Sequence, residues 1–124
     1  MLELKKKYVS QYSYVLEDIF GNEQGRIDAN IYLDDVCLVR FCVAYKYRGL
    51  SKKRYGKQLL DSIIEEAKSN NRKRIVVVPK AEELYDKIPL MSLKELRRKY
   101  SNLGFTLIEN QQCPDYEKMM QLIL

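Results

Sequence analysis

The spacing of apolar and polar residues predicts several β-strands in the first third of the chain. Residues 8–20 are rich in aromatic and β-branched residues, and the glycine-bearing run 18–22 is typical of a turn. Residues 25–34 alternate between apolar and polar, which predicts a half-buried strand. After a short turn at 34–35, residues 36–44 are almost continuously apolar and predict a strand that pairs back as a hairpin. Such a strand is expected to be buried on both faces and central in its sheet.

The segment 36–80 combines a strand, a basic loop, an amphipathic helix and a second strand. The helix is predicted over residues 54–69, and one stripe of it is apolar: Leu59, Leu60, Ile63, Ile64 and Ala67. Residues 74–79 form a short apolar run, which we expect to be a buried strand parallel to 36–44. The sequence therefore predicts a βαβ unit.

The loop that leads into this helix concentrates positive charge. Its basic side chains are Lys46, Arg48, Lys52, Lys53, Arg54 and Lys57. Gly49 and Gly56 would let the backbone come close to a bound anion. Because a helix N-terminus presents unpaired N–H groups and the positive end of a dipole, it favours phosphate. We therefore expect a site for a phosphate-bearing cofactor here.

The rest of the pattern predicts a loop, one more helix and two closing strands. Residues 80–90 show no clear period and are expected to be a loop. The second helix begins at a capping box and ends at a glycine: Ser92, Glu95 and Gly104. Residues 105–109 and 118–123 are typical of strands that complete the sheet. The lysines at 5–7 are expected to belong to a frayed terminus.

The overall composition limits the classes of function. The chain has 124 residues, which predicts one domain spanning 1–124. No apolar run approaches the roughly 20 residues of a membrane span. The net charge of +5 is compatible with an anionic cofactor, an anionic substrate or nucleic acid. Because the chain contains no histidine, every mechanism that uses a Ser-His or Cys-His pair is excluded.

The cysteines give information about the cellular compartment of the protein and not about a catalytic or metal-binding role. Cys37, Cys42 and Cys113 are odd in number and follow no metal-binding spacing, so no metal is expected. Cys37 and Cys42 lie five residues apart in one predicted strand, and we expect them on opposite faces, unable to pair. The lysines near the N-terminus are not followed by the apolar segment of a secretory signal. These features predict a cytoplasmic protein with reduced thiols.

The basic loop matches neither of two common nucleotide-binding motifs. A P-loop requires G-x-x-x-x-G-K-[ST], but Gly49 and Gly56 are too far apart and Gln58 stands where the magnesium-binding hydroxyl should be. A dinucleotide fingerprint requires three glycines at a different spacing.

The same stretch resembles the GNAT superfamily of acyl-CoA-dependent N-acyltransferases. In that family a strand ending in valine precedes a Tyr-Arg-Gly turn and then [Q/R]-x-x-G-x-[G/A], which opens a helix. This chain has Val43, then YRG at 47–49, then RYGKQLL at 54–60. A second family motif, Y-x-x-L-G-F, appears at 100–105 as YSNLGF. Arg54 replaces the first glycine of the family's pair, and the loop after the strand is longer than usual.

The resemblance implies a fold and a set of site residues. The fold would be a mixed, mostly antiparallel central sheet of the α+β or α/β class, with a βαβ acyl-CoA-binding unit and helices on both faces. Backbone amides that hold the pantetheine and polarise the thioester carbonyl would come from Phe41, Cys42 and Val43. Amides of residues 52–57, which include Lys52, Tyr55, Gly56 and Lys57, would cradle the pyrophosphate. The 3′-phosphate would lie near Arg48, Lys52, Lys53 or Arg54. Tyr100 matches the tyrosine that protonates the leaving CoA thiolate.

The implied function is an acetyl-CoA-dependent N-acetyltransferase that acts on a primary amine by direct attack, without a metal or an acyl-enzyme. The alternative is a catalytically weak, GNAT-like basic module that serves in protein interaction or binds nucleic acid. Of the partners expected for the protein, nucleic acid is less favoured than acetyl-CoA and an amine. The general base stays open between Glu17, Asp18, Asp28 and a water held by a carboxylate. The acceptor, a small molecule or a protein, and the assembly, a monomer or a homodimer, also stay open.

Overall fold

A computed structural model of the chain describes residues 1–8, 10–48, 53–86 and 90–124. Its strands are β1 Glu3–Lys7, β2 Tyr12–Glu17, β3 Glu23–Tyr32, β4 Asp35–Val43, β5 Arg74–Val77, β6 Thr106–Leu107 and β7 Met120–Ile123. Its α-helices are α1 Tyr55–Ser69 and α2 Leu93–Asn102. Short 3₁₀ turns occupy Tyr45–Tyr47 and Asp115–Glu117. No helix within the described ranges has the length and apolar character needed to cross a membrane.

The strands form one seven-stranded sheet in the order β1-β2-β3-β4-β5-β7-β6. Every neighbouring pair is antiparallel except β4 and β5, which are parallel and joined through α1. The mixed, mostly antiparallel sheet with a βαβ unit is therefore confirmed. The central position expected for the apolar run after residue 35 is also confirmed.

The two helices lie on one face of the sheet, whereas helices on both faces were expected. Phe41 of β4 packs against Tyr100 of α2, with ring centroids 6.1 Å apart, and also lies beside Gly56 of α1. Both helices contribute to the same apolar cluster. The reason is topological: β5 and β6 are parallel, since both pair antiparallel with β7. Two successive right-handed crossovers in the same direction across a sheet place both helices on the same side.

Strand β4 carries a β-bulge at Val39. Successive residues of β3 face Leu38 and then Arg40, which leaves Val39 as the extra residue. Val39 is 53% exposed, so the strand is not buried on both faces along its whole length.

The bulge also corrects the expected placement of two cysteines. Val36 before the bulge and Phe41 after it both pack toward the helices. Cys37 and Cys42 therefore share the opposite face, because the extra residue shifts the side-chain alternation by one. The two thiols are free, and they are still too far apart along the strand to form a disulfide.

Strand β1 replaces the frayed terminus expected at the N-terminal lysines. Lys5 and Lys7 pair with Glu17 on one face, with N···O distances of 2.9 Å and 3.5 Å. Lys6, on the other face, pairs with Glu66 of α1. Four of the five residues of this edge strand are charged, so it has no apolar alternation, and such lysines protect a sheet edge from further pairing.

Helix α2 has the ends that its sequence predicts. The Ser92 hydroxyl accepts a hydrogen bond from the Glu95 N–H at 3.2 Å. After the helix, Gly104 has φ of +102°, and the Phe105 N–H donates to the Tyr100 carbonyl at 3.1 Å. These contacts form a Schellman-type stop. They fix Tyr100 in the last turn of α2, directly before β6.

Candidate functional site

The parallel strands β4 and β5 separate after a short contact. They pair only at Val36 with Ile75 and at Cys37 with Val76. Strand β4 continues to Val43, still paired with β3, while its other edge has no strand partner in the described part of the chain. A cavity of about 470 Å³ occupies the opening, between the end of β4, the start of α1 and the inner side of α2.

The register shows which backbone amides of β4 face this opening. Ala44 donates its N–H to the Gln24 carbonyl at 2.8 Å. Because hydrogen-bonded and non-hydrogen-bonded residues alternate along an antiparallel pair, Cys42 also directs its amide toward β3. Phe41 and Val43 then direct theirs toward the opening. Of the three amides in the sequence hypothesis, the geometry thus makes those of Phe41 and Val43 available and uses that of Cys42 in the sheet.

Most of the residues singled out from the sequence line this cavity. They are Phe41, Cys42, Val43, Arg48, Arg54, Tyr55, Gly56, Lys57 and Tyr100. Lys53 is exposed and does not line it. Lys52, together with Gly49, lies outside the described residues. The roles given to all of these residues remain predictions, but the fold brings the two sequence motifs together around one space.

The start of α1 supplies the phosphate-favouring end of the cavity. The first intrahelical bond runs from the Gln58 N–H to the Arg54 carbonyl at 3.0 Å, so the amides of Tyr55, Gly56 and Lys57 have no intrahelical acceptor. Arg54 has φ of +47°, in the left-handed region that favours glycine. The resemblance implies a glycine at this position, and the backbone conformation costs a non-glycine residue about 1 kcal/mol.

Positive charge surrounds the cavity. Its basic lining residues are Arg48, Arg54, Lys57, Lys80 and Lys99. Lys57 is engaged with Asp61, one turn along α1, at 2.9 Å. The Arg48 guanidinium donates from Nε to the Val43 carbonyl at 2.5 Å and lies 3.6 Å from the Cys42 Sγ. Arg48 therefore lies at the strand end, on the gap-facing edge of β4, rather than at the helix start.

Tyr100 closes the inner end of the cavity. It is 7% exposed, and its ring meets Phe41 and Phe105 edge-on at centroid distances of 6.1 Å and 5.4 Å. Burial raises the pKa of its hydroxyl, and the nearby charge of Glu82 and the Cys42 thiol raise it further. The group therefore keeps its proton at neutral pH and is able to act as a hydrogen-bond or proton donor.

The carboxylates proposed from the sequence as bases are occupied elsewhere. Glu17 is paired with two lysines of β1, which lower its pKa through hydrogen bonding and charge. Asp18 accepts backbone N–H groups from Phe20 and Asn22, and these bonds lower its pKa. Asp28 is buried and accepts a hydrogen bond from Ser13 at 2.6 Å. None of the three lines the cavity.

Sequence reasoning missed Glu82, which does line the cavity. It lies in the segment after β5, where no periodicity draws attention to any residue. The only signal in the sequence is its position a few residues beyond the end of a parallel strand, where α/β proteins place ligand-binding groups. Within the described ranges, no cluster of cysteine and carboxylate side chains is arranged to hold a metal ion.

These observations define an α/β protein with a split central sheet and a basic cavity at the split. No protein-family model matches the chain, and no curated protein sequence does either. Solved structures do match, and many of them are GNAT-family acetyltransferases.

Three of these structures show the extent of the likeness. An acetyltransferase of the GNAT family from Staphylococcus aureus has 22% identity and a TM-score of 0.66, over 90% of this chain and 66% of its own. The GNAT family N-acetyltransferase YhbS from Escherichia coli, in complex with CoA, has 16% identity and a TM-score of 0.64, over 91% and 58%. The PaiA N-acetyltransferase from Thermoplasma acidophilum, in complex with coenzyme A, has 15% identity and a TM-score of 0.61, over 90% and 60%.

The chain therefore has the GNAT fold. It spans about 58% to 66% of the length of these three proteins. At these sequence identities the structural similarity establishes the fold alone. A proposed activity therefore depends on the residues of the site.

Proposed function

We propose that the protein is an acetyl-CoA-dependent N-acetyltransferase that transfers the acetyl group to a primary amine by direct attack. One observation carries the proposal: β4 and β5 separate where unpaired amides, a helix N-terminus and basic side chains surround one cavity. A cofactor with an amide-containing arm and a phosphate-bearing end needs these two kinds of binding group side by side. Two structures with the same fold contain CoA.

Each end of the cavity suits one part of acyl-CoA. The amides of Phe41 and Val43 would hold the pantetheine arm by strand-like hydrogen bonds, with the apolar side chains around them excluding water. The amides at the start of α1, with Arg54 beside them, would hold the pyrophosphate. Bound acetyl-CoA supplies a thioester, whose carbonyl carbon accepts an amine nitrogen without a covalent enzyme intermediate.

Tyr100 is proposed to assist the departing thiol. Its raised pKa disfavours complete proton transfer to a thiolate, since an ordinary thiol has a pKa near 8.5. A buried, protonated hydroxyl is instead a good hydrogen-bond donor to the charge that develops on sulfur. Because full transfer of the proton to sulfur is uphill, it is completed only when a proton returns to Tyr100 through solvent as the free thiol leaves.

The alternative, a basic module that binds nucleic acid, makes a different prediction about salt. The proposal expects CoA binding to survive a change from 50 to 200 mM salt with roughly a tenfold loss at most, because part of the affinity comes from the pantetheine arm. Binding to a single-stranded oligonucleotide through several phosphate contacts should fall by orders of magnitude over the same range.

The test is a pair of titrations at both salt concentrations, one with CoA and one with a fluorescent oligonucleotide. CoA binding in the micromolar range, stronger than oligonucleotide binding at the higher salt, supports the proposal. Oligonucleotide binding without measurable CoA binding would establish the alternative.

A further inference from the structure

We propose that Glu82 is the general base that removes a proton from the acceptor amine. The assignment rests on the proposed acetyltransferase function and adds the residue that the sequence could not identify. It follows from where Glu82 lies, how its segment is held and which other carboxylates are present.

The segment that carries Glu82 is held across the ends of two strands. After β5 the chain reaches the end of β4, where the Cys42 thiol donates to the Glu82 carbonyl at 3.6 Å. Tyr85 donates its hydroxyl to Glu23 of β3 at 2.5 Å. Asp86 accepts the N–H of Tyr45, just beyond β4, at 2.6 Å. These three contacts give an otherwise irregular segment a defined position over the split in the sheet.

Glu82 borders the large cavity and also a second, smaller one. A second cavity of about 20 Å³ lies between the separated strands and is lined by residues such as Val39, Arg40 and Val77. Four residues line both cavities: Phe41, Lys80, Glu82 and Tyr100. Glu82 and Tyr100 thus both border the space at the separated strands, where an amine and a thioester would meet. The effect of the Glu82 charge on the pKa of Tyr100 agrees with this proximity.

The Glu82 carboxylate is chemically available. Among the described lining residues of both cavities it is the sole carboxylate. Within the described chain its side chain makes no hydrogen bond and no ion pair, in contrast to Glu17 and Asp28. A carboxylate with free lone pairs can accept a proton from an ammonium group without first breaking a contact.

The proton transfers balance with Glu82 and Tyr100 as the two protein groups. Glu82 takes one proton from the alkylammonium, which frees the nitrogen lone pair. The nitrogen bonds to the thioester carbonyl carbon and releases a second proton to water, while the carbon–sulfur bond breaks. Tyr100 gives its proton to the departing sulfur. The proton on Glu82 then restores Tyr100 through solvent, so that one proton in total is released for each amide formed.

The assignment of Glu82 as the general base is tested with two amines that differ in whether they need a base. Propylamine is almost fully protonated at neutral pH, whereas hydroxylamine is already a neutral nucleophile. Both are used at high concentration with acetyl-CoA, and free CoA is measured. The matched pair of variants is Glu82→Gln and Glu83→Gln, since Glu83 is exposed and lines neither cavity.

We expect Glu82→Gln to lower kcat/KM for propylamine by about 100-fold, within the usual range for a general base, and for hydroxylamine by less than about threefold. Glu83→Gln should stay within about threefold of wild type for both amines. CoA titration of Glu82→Gln is expected to match wild type, which shows that the fold and the cofactor site are intact.

Three results would overturn the assignment. Equal effects of the two variants on propylamine would show that Glu82 is not the base. Equal losses for propylamine and hydroxylamine would show that Glu82 is structural. A wild-type protein that acetylates neither amine, although it binds CoA, would overturn the proposed function and the base together.

Discussion

The two edges of β4 differ in how much of each is paired with a neighbouring strand, although both belong to the same nine residues. Along β3 the strand pairs over its whole length, with one bulge at Val39. Along β5 it pairs at two positions and then stands apart. One edge stabilises the sheet, and the other leaves backbone groups for a ligand, since a buried N–H must find some acceptor. The comparison shows that the pattern of side chains determines where a strand lies in a sheet. The register of its hydrogen bonds determines which edge has backbone groups available to bind a ligand.

Proline substitutions at adjacent positions would separate the two edges most strongly. Cys42→Pro removes an N–H that points to β3, so we expect it to lower the free energy of unfolding by roughly 2 kcal/mol or more. Val43→Pro removes an N–H that points to the opening, so the fold should persist and CoA affinity should fall by about tenfold. Thermal denaturation and CoA titration measure the two effects.

Cys42→Ala and Val43→Ala serve as controls for the lost side chains. If Val43→Pro unfolds the protein while Cys42→Pro does not, the assignment of the edges is reversed.

Tyr100→Phe tests the inner end of the opening. The ring would keep its contacts with Phe41 and Phe105, and the lost hydroxyl has no hydrogen-bond partner within the described chain. We therefore expect kcat to fall by roughly ten- to a hundredfold with Tm unchanged or slightly raised. A variant with wild-type kcat and a lowered Tm would make Tyr100 structural.

Gly56→Ala should have smaller effects of opposite sign on stability and binding. A Cβ at this position would meet the Phe41 ring at 3.8 Å, an ordinary contact, so the protein has room for it. Alanine stabilises a helix by up to about 1 kcal/mol relative to glycine. If the glycine serves close approach of a phosphate, the variant should melt higher and bind CoA several-fold more weakly.

Paired measurements of Tm and CoA affinity on this variant check the prediction. Unchanged CoA affinity in a stabilised variant would show that Gly56 is not needed for ligand approach.

The βαβ unit could be predicted from sequence because each part has its own pattern. An apolar run, a basic loop, a helix with one apolar stripe and a second apolar run leave few topologies open. The two motifs around Gly56 and Tyr100 likewise indicated residues that line one cavity. The ends of α2 followed from local capping chemistry at Ser92 and Gly104.

Other features could not be predicted because they depend on pairing between distant residues. The bulge at Val39 leaves no mark in the sequence, yet it moves Cys42 to the face that carries Cys37. Strand β1 is held by partners far along the chain, such as Glu66 of α1. Glu82 gains its place from contacts of its segment with β3 and β4, and a charged residue in an irregular segment resembles any exposed one.

Thermal denaturation with and without acetyl-CoA tests the central claim, that the open edge of β4 and the start of α1 form an acyl-CoA site. A ligand at one hundred times its Kd adds about 2.7 kcal/mol to the free energy of unfolding, which corresponds to roughly 10 °C in a domain of this size. ATP at the same concentration controls for the general effect of a polyanion on a basic protein. We predict a large rise in Tm with acetyl-CoA and a small one with ATP. An unchanged Tm at millimolar acetyl-CoA, or equal rises with both ligands, would contradict the account.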